Sequence, residues 1–94
     1  MNILKKAYEI LYVRSKKEIE YGPIIPCMDK TARIASELSN KEFTGEDIYY
    51  MMIAVKLARN SWTHKEDNLL DCITYTASLN DYQKKKKNEQ ESNN

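Results

Sequence analysis

The stretch Thr-Gly-Glu-Asp-Ile-Tyr-Tyr-Met-Met-Ile-Ala-Val-Lys-Leu-Ala-Arg, residues 44–59, decides the fold class of this chain. Thr44, followed three positions later by Asp47, has the pattern of a capping box, in which a hydroxyl and a carboxylate satisfy the first amides of a helix. The predicted helix runs to Arg59, and apolar residues at helical spacing predict a buried stripe of Ile48, Met51, Met52, Val55 and Ala58. Because most of the other positions are also apolar, we expect both flanks of this helix to be buried against other helices. One small subunit can hardly bury both.

The segment after this helix repeats the pattern. Thr63 and Glu66 have the spacing of a second capping box, which predicts a helix that reaches about Tyr82. Its predicted buried face consists of Leu69, Cys72, Ile73, Thr76 and Leu79.

Two further helices are predicted upstream, and only two glycines and two prolines interrupt the whole chain. The first covers residues 3–20 and ends at Gly22. An extended connector over residues 21–26 follows, because Pro23 and Pro26 push their predecessors out of the helical region, and its two isoleucines should pack inward. The second helix covers residues 28–39. The predicted buried residues are Leu4, Ala7, Tyr8, Leu11, Ser15 and Ile19 in the first helix, and Met28, Ala32, Ala35 and Leu38 in the second.

Residues 1–83 are therefore predicted to form one all-α, four-helix domain, and residues 84–94 a disordered tail without apolar residues. The net charge of +1 is unevenly divided. Four lysines and two glutamates give the tail +2, which leaves −1 for residues 1–83. Binding of DNA or RNA is therefore not expected to be the main function, because nucleic-acid-binding domains concentrate positive charge on the folded surface.

The length of 94 residues allows one small hydrophobic core, so we expect a homo-oligomer. Cys27 and Cys72 are far apart and have no Cys-x-x-Cys pattern, which favours reduced cysteines in a cytoplasmic protein. Charged residues soon after Met1 interrupt any apolar run, so neither a signal peptide nor a membrane-spanning segment is expected.

Two polar stripes on the third and fourth helices are the strongest candidates for chemistry. Lys56 and Arg59 are three residues apart and share a helix face, while Asp67, Asp71 and Tyr75 follow one another at intervals of four. A short connection should pack the two helices antiparallel and bring the cations close to the carboxylates.

This arrangement has two interpretations. The more frequent one in proteins is a salt-bridge network that fixes the packing of the two helices. The other is a phosphate site, in which Lys and Arg bind the phosphate and the carboxylates hold Mg²⁺, an ion that prefers oxygen ligands.

The same segments carry a resemblance to a known family. The chain resembles an uncharacterised phage branch of the MazG-like nucleotide pyrophosphohydrolases over nearly all of residues 1–83. The most specific matches are Lys-x-x-Arg at residues 56–59 and His-x-x-Asp-x-x-x-Asp-x-x-x-Tyr at residues 64–75. The resemblance implies an all-α bundle that assembles into dimers or tetramers, with nucleotides bound between helices and cleaved with release of pyrophosphate in active relatives.

The chain departs from the family in its acidic residues. Active relatives hold Mg²⁺ with Glu-x-x-Glu on one helix and Glu-x-x-Asp on another. Here the second helix offers only Asp29 and Glu37, which are too far apart to share an ion from one turn, and the second pattern survives as Asn68-x-x-Asp71 beside Asp67. A tentative metal site would consist of Asp67 and Asp71, which would also be the catalytic residues if the protein were an enzyme. The loss of carboxylates favours nucleotide binding without turnover.

The predicted ligand-binding residues are Tyr21, Arg33, Lys56, Arg59, Trp62, His64 and Tyr75. Several also have a simpler explanation. As the first residue of a helix, His64 is more often a solvated ring than a catalytic base. Trp62 is more often a hydrophobic staple than a surface on which a base stacks. Arg33 is more often solvated than functional.

The leading hypothesis is a phage-encoded, oligomeric protein of the host cytosol that binds a nucleotide or a nucleotide-derived immune signal and sequesters it. The first alternative is a Mg²⁺-dependent nucleotide pyrophosphohydrolase, with Glu66 or a neighbouring subunit's Asp29 or Glu37 completing the metal site. The second is a protein inhibitor whose apolar third helix docks onto a host enzyme.

Overall fold

The computed structural model describes residues 2–13 and 23–92, and these residues form an all-α structure without strands. The four helices are α1 (Ile3–Tyr8), which continues into a π-helical turn at Glu9–Val13, α2 (Ile24–Ser39), α3 (Gly45–Trp62) and α4 (Glu66–Ser92). The all-α prediction is confirmed. The predicted continuation of the first helix to residue 20, with Ser15 and Ile19 on its buried face, and the stop at Gly22 lie outside the described residues.

The core lies where α3 packs against both α2 and α4, and α1 packs on α4. Tyr49 on α3 is fully buried, and its hydroxyl shares a hydrogen bond of 2.7 Å with Ser78 Oγ on α4. Its ring packs at a tilt against that of Tyr82, with 5.4 Å between the centroids. The buried core cluster consists of Met28, Ala32, Ile48, Tyr49, Leu79 and Tyr82.

The capping box at the start of α3 forms as predicted. Thr44 Oγ1 accepts from the amide of Asp47 at 3.3 Å, and Asp47 Oδ2 accepts from the amide of Thr44 at 2.9 Å. These bonds satisfy amides that a helix start otherwise leaves unpaired. The preceding helix, α2, ends at Ser39, and the residue that caps it is Asn40, whose left-handed backbone (φ 57°) is one that asparagine tolerates better than most residues.

The start of α2 corrects the predicted connector. The helix begins at Ile24 rather than near Met28, and Pro26 lies within its first turn. Proline is tolerated there because the first amides of a helix have no intrahelical acceptor. Ile24 and Ile25 are half-buried and pack against the core, so their predicted inward packing is confirmed.

The second predicted capping box is wrong. Helix α3 continues past Arg59 to Trp62, and Thr63 ends it, donating its amide to the Arg59 carbonyl at 3.3 Å. Helix α4 begins only at Glu66, so Thr63 does not cap it. Helical continuation through residues 60–62 keeps backbone hydrogen bonds that an earlier cap would have lost.

The predicted buried faces are only partly correct. Leu4 and Tyr8 on α1 are 66% and 59% exposed, and Leu38 on α2 is 81% exposed. On α3, Tyr49 is buried instead of Met51, Val55 and Ala58. Thr76 on α4 is exposed, while Leu70, Thr74 and Ser78 are buried. Periodicity locates an apolar stripe, but when both flanks of a helix are apolar it does not show which flank a neighbour covers.

The tail prediction also needs correction. Helix α4 does not end near Tyr82 but continues to Ser92, through the lysines that were predicted to be disordered. Lysine, glutamate and glutamine are good helix formers, and no proline or glycine interrupts this segment. Contacts support the extension as well, because Lys86 Nζ lies over the Tyr82 ring, 5.4 Å from its centroid. No helix among the described residues combines the length and apolar character that crossing a bilayer requires.

Candidate functional site

The connection between α3 and α4 is a turn of residues 63–65, which sets the two helices side by side and antiparallel. Asn60 closes the turn from within α3, because its Oδ1 accepts the amide of Lys65 at 3.1 Å. The amide of Asn68 then donates to the carbonyl of Lys65 at 3.0 Å and starts α4. We call the surface around this turn the hairpin site. It comprises Lys56, Arg59, Trp62, His64, Asp67, Asp71 and Tyr75.

The inner part of the hairpin site contains an ion pair between the helices. Lys56 Nζ lies 2.9 Å from Asp71 Oδ2, and the two side chains are only 15% and 24% exposed. This is the contact between a cation of α3 and a carboxylate of α4 that the sequence predicted. Because both charges are largely removed from water, the pair fixes how α3 and α4 pack.

The outer pair does not form. Arg59 and Asp67 are both exposed, and neither makes an ion pair with any residue in 2–13 or 23–92. The arrangement is therefore asymmetric. Lys56 is bound to Asp71, while the Arg59 guanidinium, three residues further along the same helix face, points its donors to solvent.

Tyr75 borders the ion pair on α4. It is half-buried and packs against the core cluster. Burial raises the pKa of Tyr75, the positive charge of Lys56 opposes this increase, and the carboxylate of Asp71 adds to it. Tyr75 therefore lies within electrostatic reach of both charged partners, and its hydroxyl stays protonated at neutral pH.

Two rings lie at the turn end of the site. Trp62 is the last residue of α3 and is 92% exposed, so the prediction that it is a hydrophobic staple is wrong. It is three residues from Arg59 and shares a helix face with it. His64 is exposed in the turn and is not the first residue of a helix.

The remaining predicted ligand-binding residues are not brought to the turn. Tyr21 lies outside the described residues. Arg33 is exposed on α2 and lines a shallow polar groove of about 660 Å³ at the α2–α3 connection. This groove lies at the start of α3, about 18 Å along the helix from Lys56 at 1.5 Å per residue. Arg33 thus belongs to a different surface.

The described residues contain no group of three or more His, Cys, Asp or Glu side chains that could hold a metal ion. Of the three acidic residues considered as further ligands, Glu37 lines the groove beside Arg33 and the other two have contacts elsewhere. Glu66 pairs with Lys6, whose hydrogen bond and charge lower the pKa of the Glu66 carboxyl. Asp29 accepts a hydrogen bond from Tyr82 at 2.8 Å. Of the metal ligands considered for the hairpin site, Asp67 and Asp71 are left, and Asp71 already binds Lys56.

One cavity was not predicted from the sequence. It has a volume of about 270 Å³ and lies between the π-helical turn, the start of α2 and α4. At its polar end Tyr12 donates a hydrogen bond of 2.6 Å to Asp81, and this bond raises the pKa of Tyr12. The π-helical turn that shapes its wall leaves no recognised signature in the sequence, although such turns often occur near functional sites.

Comparisons with known proteins give a family but no activity. No curated protein and no solved structure gives a significant match to this chain. One family model, described as a domain of unknown function, DUF6378, matches residues 2–83, which include α1 to α3, the whole hairpin site and α4 as far as Gln83. Since the match covers most of the chain, the protein belongs to the DUF6378 family.

Proposed function

We propose that this protein binds a nucleotide, or a phosphate ligand derived from one, at the hairpin site and does not hydrolyse it. The observation that carries the proposal is the exposed Arg59. This cation makes no ion pair among the described residues, and along α3 it is three residues from Lys56 on one side and three from the exposed Trp62 on the other. A cation with free donors beside an exposed ring is the combination that a phosphate and a base require.

Each group has a defined role in such binding. The planar guanidinium of Arg59 forms two parallel charge-assisted hydrogen bonds to phosphate oxygens. Lys56 lies on the inner side, where Asp71 holds its ammonium in place and balances its charge, so that Arg59 supplies the net positive charge. The Trp62 ring offers a stacking surface for the base, a contact worth about 1–3 kcal/mol in proteins that bind single-stranded nucleic acids.

The donor set does not fit a catalytic Mg²⁺ centre. Asp67 and Asp71 are the two carboxylates of the hairpin site, and one oxygen of Asp71 is bound to Lys56. Two carboxylates can contact Mg²⁺ together with substrate oxygens, but hydrolysis also requires that the attacking water be positioned. Binding without turnover is therefore the function that these residues support best.

The biological role that we propose follows from the resemblance to MazG-like proteins of phages. A phage protein that keeps a nucleotide site and lacks an efficient metal centre would sequester its ligand in the host cytosol. A nucleotide-derived immune signal is the type of ligand whose removal would benefit a phage.

The test is calorimetric titration of the full chain with linear and cyclic nucleotides, with and without Mg²⁺, followed by chromatography of the recovered ligand. We expect binding of at least one nucleotide and recovery of it intact. Arg59→Gln should weaken this binding at least about tenfold, because it removes two charge-assisted bonds worth about 1.5 kcal/mol each and the neutral glutamine amide can replace only part of them.

Lys30→Gln is the matched control, because Lys30 is an exposed cation on α2 outside the hairpin site. It should leave the affinity unchanged. Equal weakening by both substitutions would mean non-specific attraction of anions and would refute a site at the hairpin. Release of pyrophosphate with Mg²⁺ or Mn²⁺ would refute binding without cleavage and favour the pyrophosphohydrolase.

A further inference from the structure

The cavity between the π-helical turn, the start of α2 and α4 has one apolar wall and one polar wall. We call it the π-turn cavity. The apolar wall comes from the turn and from the start of α2, and it consists of Ile10, Leu11, Pro23, Ile24, Ile25 and Pro26. The polar wall consists of Tyr12 on the turn and of Ser78, Asp81 and Lys85 on α4. The cavity is separate from the hairpin site, because Asp81 lies about 15 Å along α4 from Asp71.

We propose that the π-turn cavity binds a small apolar zwitterion of the type of a free aliphatic amino acid. The ligand's ammonium group contacts Asp81, its carboxylate contacts Lys85, and its side chain lies against the apolar wall. This inference does not depend on the proposed nucleotide binding. It rests on the volume of the cavity, on its apolar wall and on two opposite charges that do not pair with each other.

The volume of the cavity limits the size of the ligand. A volume of about 270 Å³ equals that of roughly nine water molecules in the liquid, at about 30 Å³ each. It therefore accommodates a ligand of roughly nine non-hydrogen atoms, whereas pockets for larger ligands begin at about 300 Å³. Leucine is a molecule of this size, and a nucleotide is too large. The apolar wall favours an aliphatic side chain over a polar one.

The two charges on the α4 wall are unpaired. Asp81 and Lys85 are four residues apart, a spacing at which opposite charges on a helix often form an ion pair. Here they do not, because Asp81 Oδ2 instead accepts a hydrogen bond of 2.6 Å from Tyr12. Within residues 2–13 and 23–92, Lys85 makes no ion pair and Asp81 Oδ1 accepts no hydrogen bond. One wall thus offers an acceptor for an ammonium group and, one helical turn away, a donor for a carboxylate.

Tyr12 positions the acidic group. Its bond to Asp81 raises the pKa of Tyr12, so the hydroxyl stays protonated at neutral pH and remains the donor. This bond connects the π-helical turn to α4 and leaves the second oxygen of the half-buried Asp81 for a ligand. Tyr12 and Lys85 are exposed, so the polar end of the cavity is accessible from solvent.

The first test is a titration of the full chain with leucine, without nucleotide, followed by NMR of the isoleucine methyl groups. We expect the signals of Ile10, Ile24 and Ile25 to shift and to saturate, with a Kd of about 0.1–1 mM for so small a ligand. Glycine, which has the same charges and no apolar side chain, should not shift them. The absence of any shift with leucine would overturn the proposal.

Two fragments of leucine test whether the ligand must be a zwitterion. Isoamylamine has the same side chain without the carboxylate, and isocaproate has it without the ammonium group. Each should bind at least about tenfold more weakly than leucine, because each loses one charge-assisted hydrogen bond. If either fragment bound as tightly as leucine, the cavity would be selective for a single charge and the proposal would be wrong.

Substitutions assign each charge of the ligand to its partner. Asp81→Asn keeps an acceptor for Tyr12 and removes the charge, so it should weaken leucine binding at least about tenfold without weakening isocaproate binding. Lys85→Gln should weaken leucine binding without weakening isoamylamine binding. The matched control is Lys84→Gln, because Lys84 is an exposed lysine of α4 that does not line the cavity, and this change should leave leucine binding unchanged.

Two results with these variants would overturn the assignment. One is equal weakening of leucine binding by the two lysine substitutions, which would indicate a general effect of charge. The other is an equal loss of leucine and isocaproate binding in Asp81→Asn, which would mean that Asp81 supports the cavity and does not contact the ammonium group. Neither result would bear on the hairpin site, because no nucleotide is present.

Discussion

Gly45 is the position where a single added methyl group should disturb the fold most clearly. It is the buried first residue of α3. A Cβ atom there would lie 2.5 Å from Asp29 Oδ1 and 2.6 Å from the Tyr82 hydroxyl oxygen, well inside van der Waals contact. Gly45→Ala must therefore displace both partners of the hydrogen bond between Tyr82 and Asp29, which is 2.8 Å long.

The two partners differ in how easily they move. Asp29 is half-buried and can rotate away, but it then loses a bond to a charged acceptor worth about 1.5–3 kcal/mol. Tyr82 is only 3% exposed and cannot move without disturbing the packing against Tyr49, and overpacking of this kind costs about 1–3 kcal/mol. Alanine is the better helix former, which offsets up to about 1 kcal/mol. We expect the free energy of unfolding to fall by about 2 kcal/mol, and Tm by about 10 °C in a chain of this size.

The measurement is urea unfolding of wild type, Gly45→Ala, Tyr82→Phe and the double variant, followed by far-UV circular dichroism. Because Tyr82→Phe removes one of the two clashing oxygens, Gly45→Ala should cost less in that background than in the wild type. A Gly45→Ala protein as stable as the wild type would refute the reasoning. It would mean that α4 near Tyr82 is not held against the start of α3.

Three further predictions concern charges and pH. Burial and the bond to an acidic partner raise the pKa of Tyr82 above its usual 10.0. The neutral phenol therefore stabilises the fold below pH 10, and this stabilisation is lost as the pH rises further. Above pH 10, the free energy of unfolding should decrease more steeply with pH in the wild type than in Tyr82→Phe. Lys6 lowers the pKa of Glu66 from 4.5, so the stabilisation that the ionised Glu66 provides is present above pH 4.5 and lost below it. In Glu66→Gln, the free energy of unfolding should therefore depend less on pH in the acid range. Lys56→Met should cost about 1–3 kcal/mol in urea unfolding, because it removes the cation that pairs with the largely buried Asp71 carboxylate, and adding Asp71→Leu should recover part of this loss. Additive costs in the double variant would contradict a coupled pair.

The start of α3 and the pairing of its last turns with α4 were predictable because local chemistry determines them. Thr44 and Asp47 satisfy each other's amides within four residues, so no distant contact is needed to form the cap. Lys56 and Asp71 meet because two helices joined by a short turn must pack antiparallel. In both cases the relevant residues are close along the chain or follow directly from helix geometry.

The buried faces and the end of α4 were not predictable in the same way. Tyr49 is buried because it packs against α4, where it shares a hydrogen bond with Ser78 and its ring contacts that of Tyr82. These contacts connect residues about thirty positions apart. The extension of α4 past residue 82 has a local cause, because Lys86 contacts Tyr82 four residues earlier on the same helix and the segment consists of good helix formers; the prediction failed because the lack of apolar residues was taken as a sign of disorder.

The candidate site was predicted in part. The sequence placed Lys56, Arg59 and Asp71 around one turn, which agrees with the structure. The sequence analysis predicted that Trp62 is a hydrophobic staple, because the predicted helix ended at Arg59. In the structure α3 is longer, and Trp62 is its exposed last residue. The prediction thus failed at the end of α3, because Thr63 and Glu66 have the spacing of a capping box and so indicated that the next helix begins there.

The most direct test of the central proposal is a titration of the isotopically labelled full chain with nucleotides, followed by amide NMR spectra of the protein and phosphorus NMR of the ligand. The account predicts that the amide shifts concentrate at residues 56–75, around the turn between α3 and α4, while the phosphorus signals of the nucleotide remain those of the intact molecule. Shifts confined to the groove beside Arg33, no shifts with any nucleotide, or the appearance of pyrophosphate would contradict it.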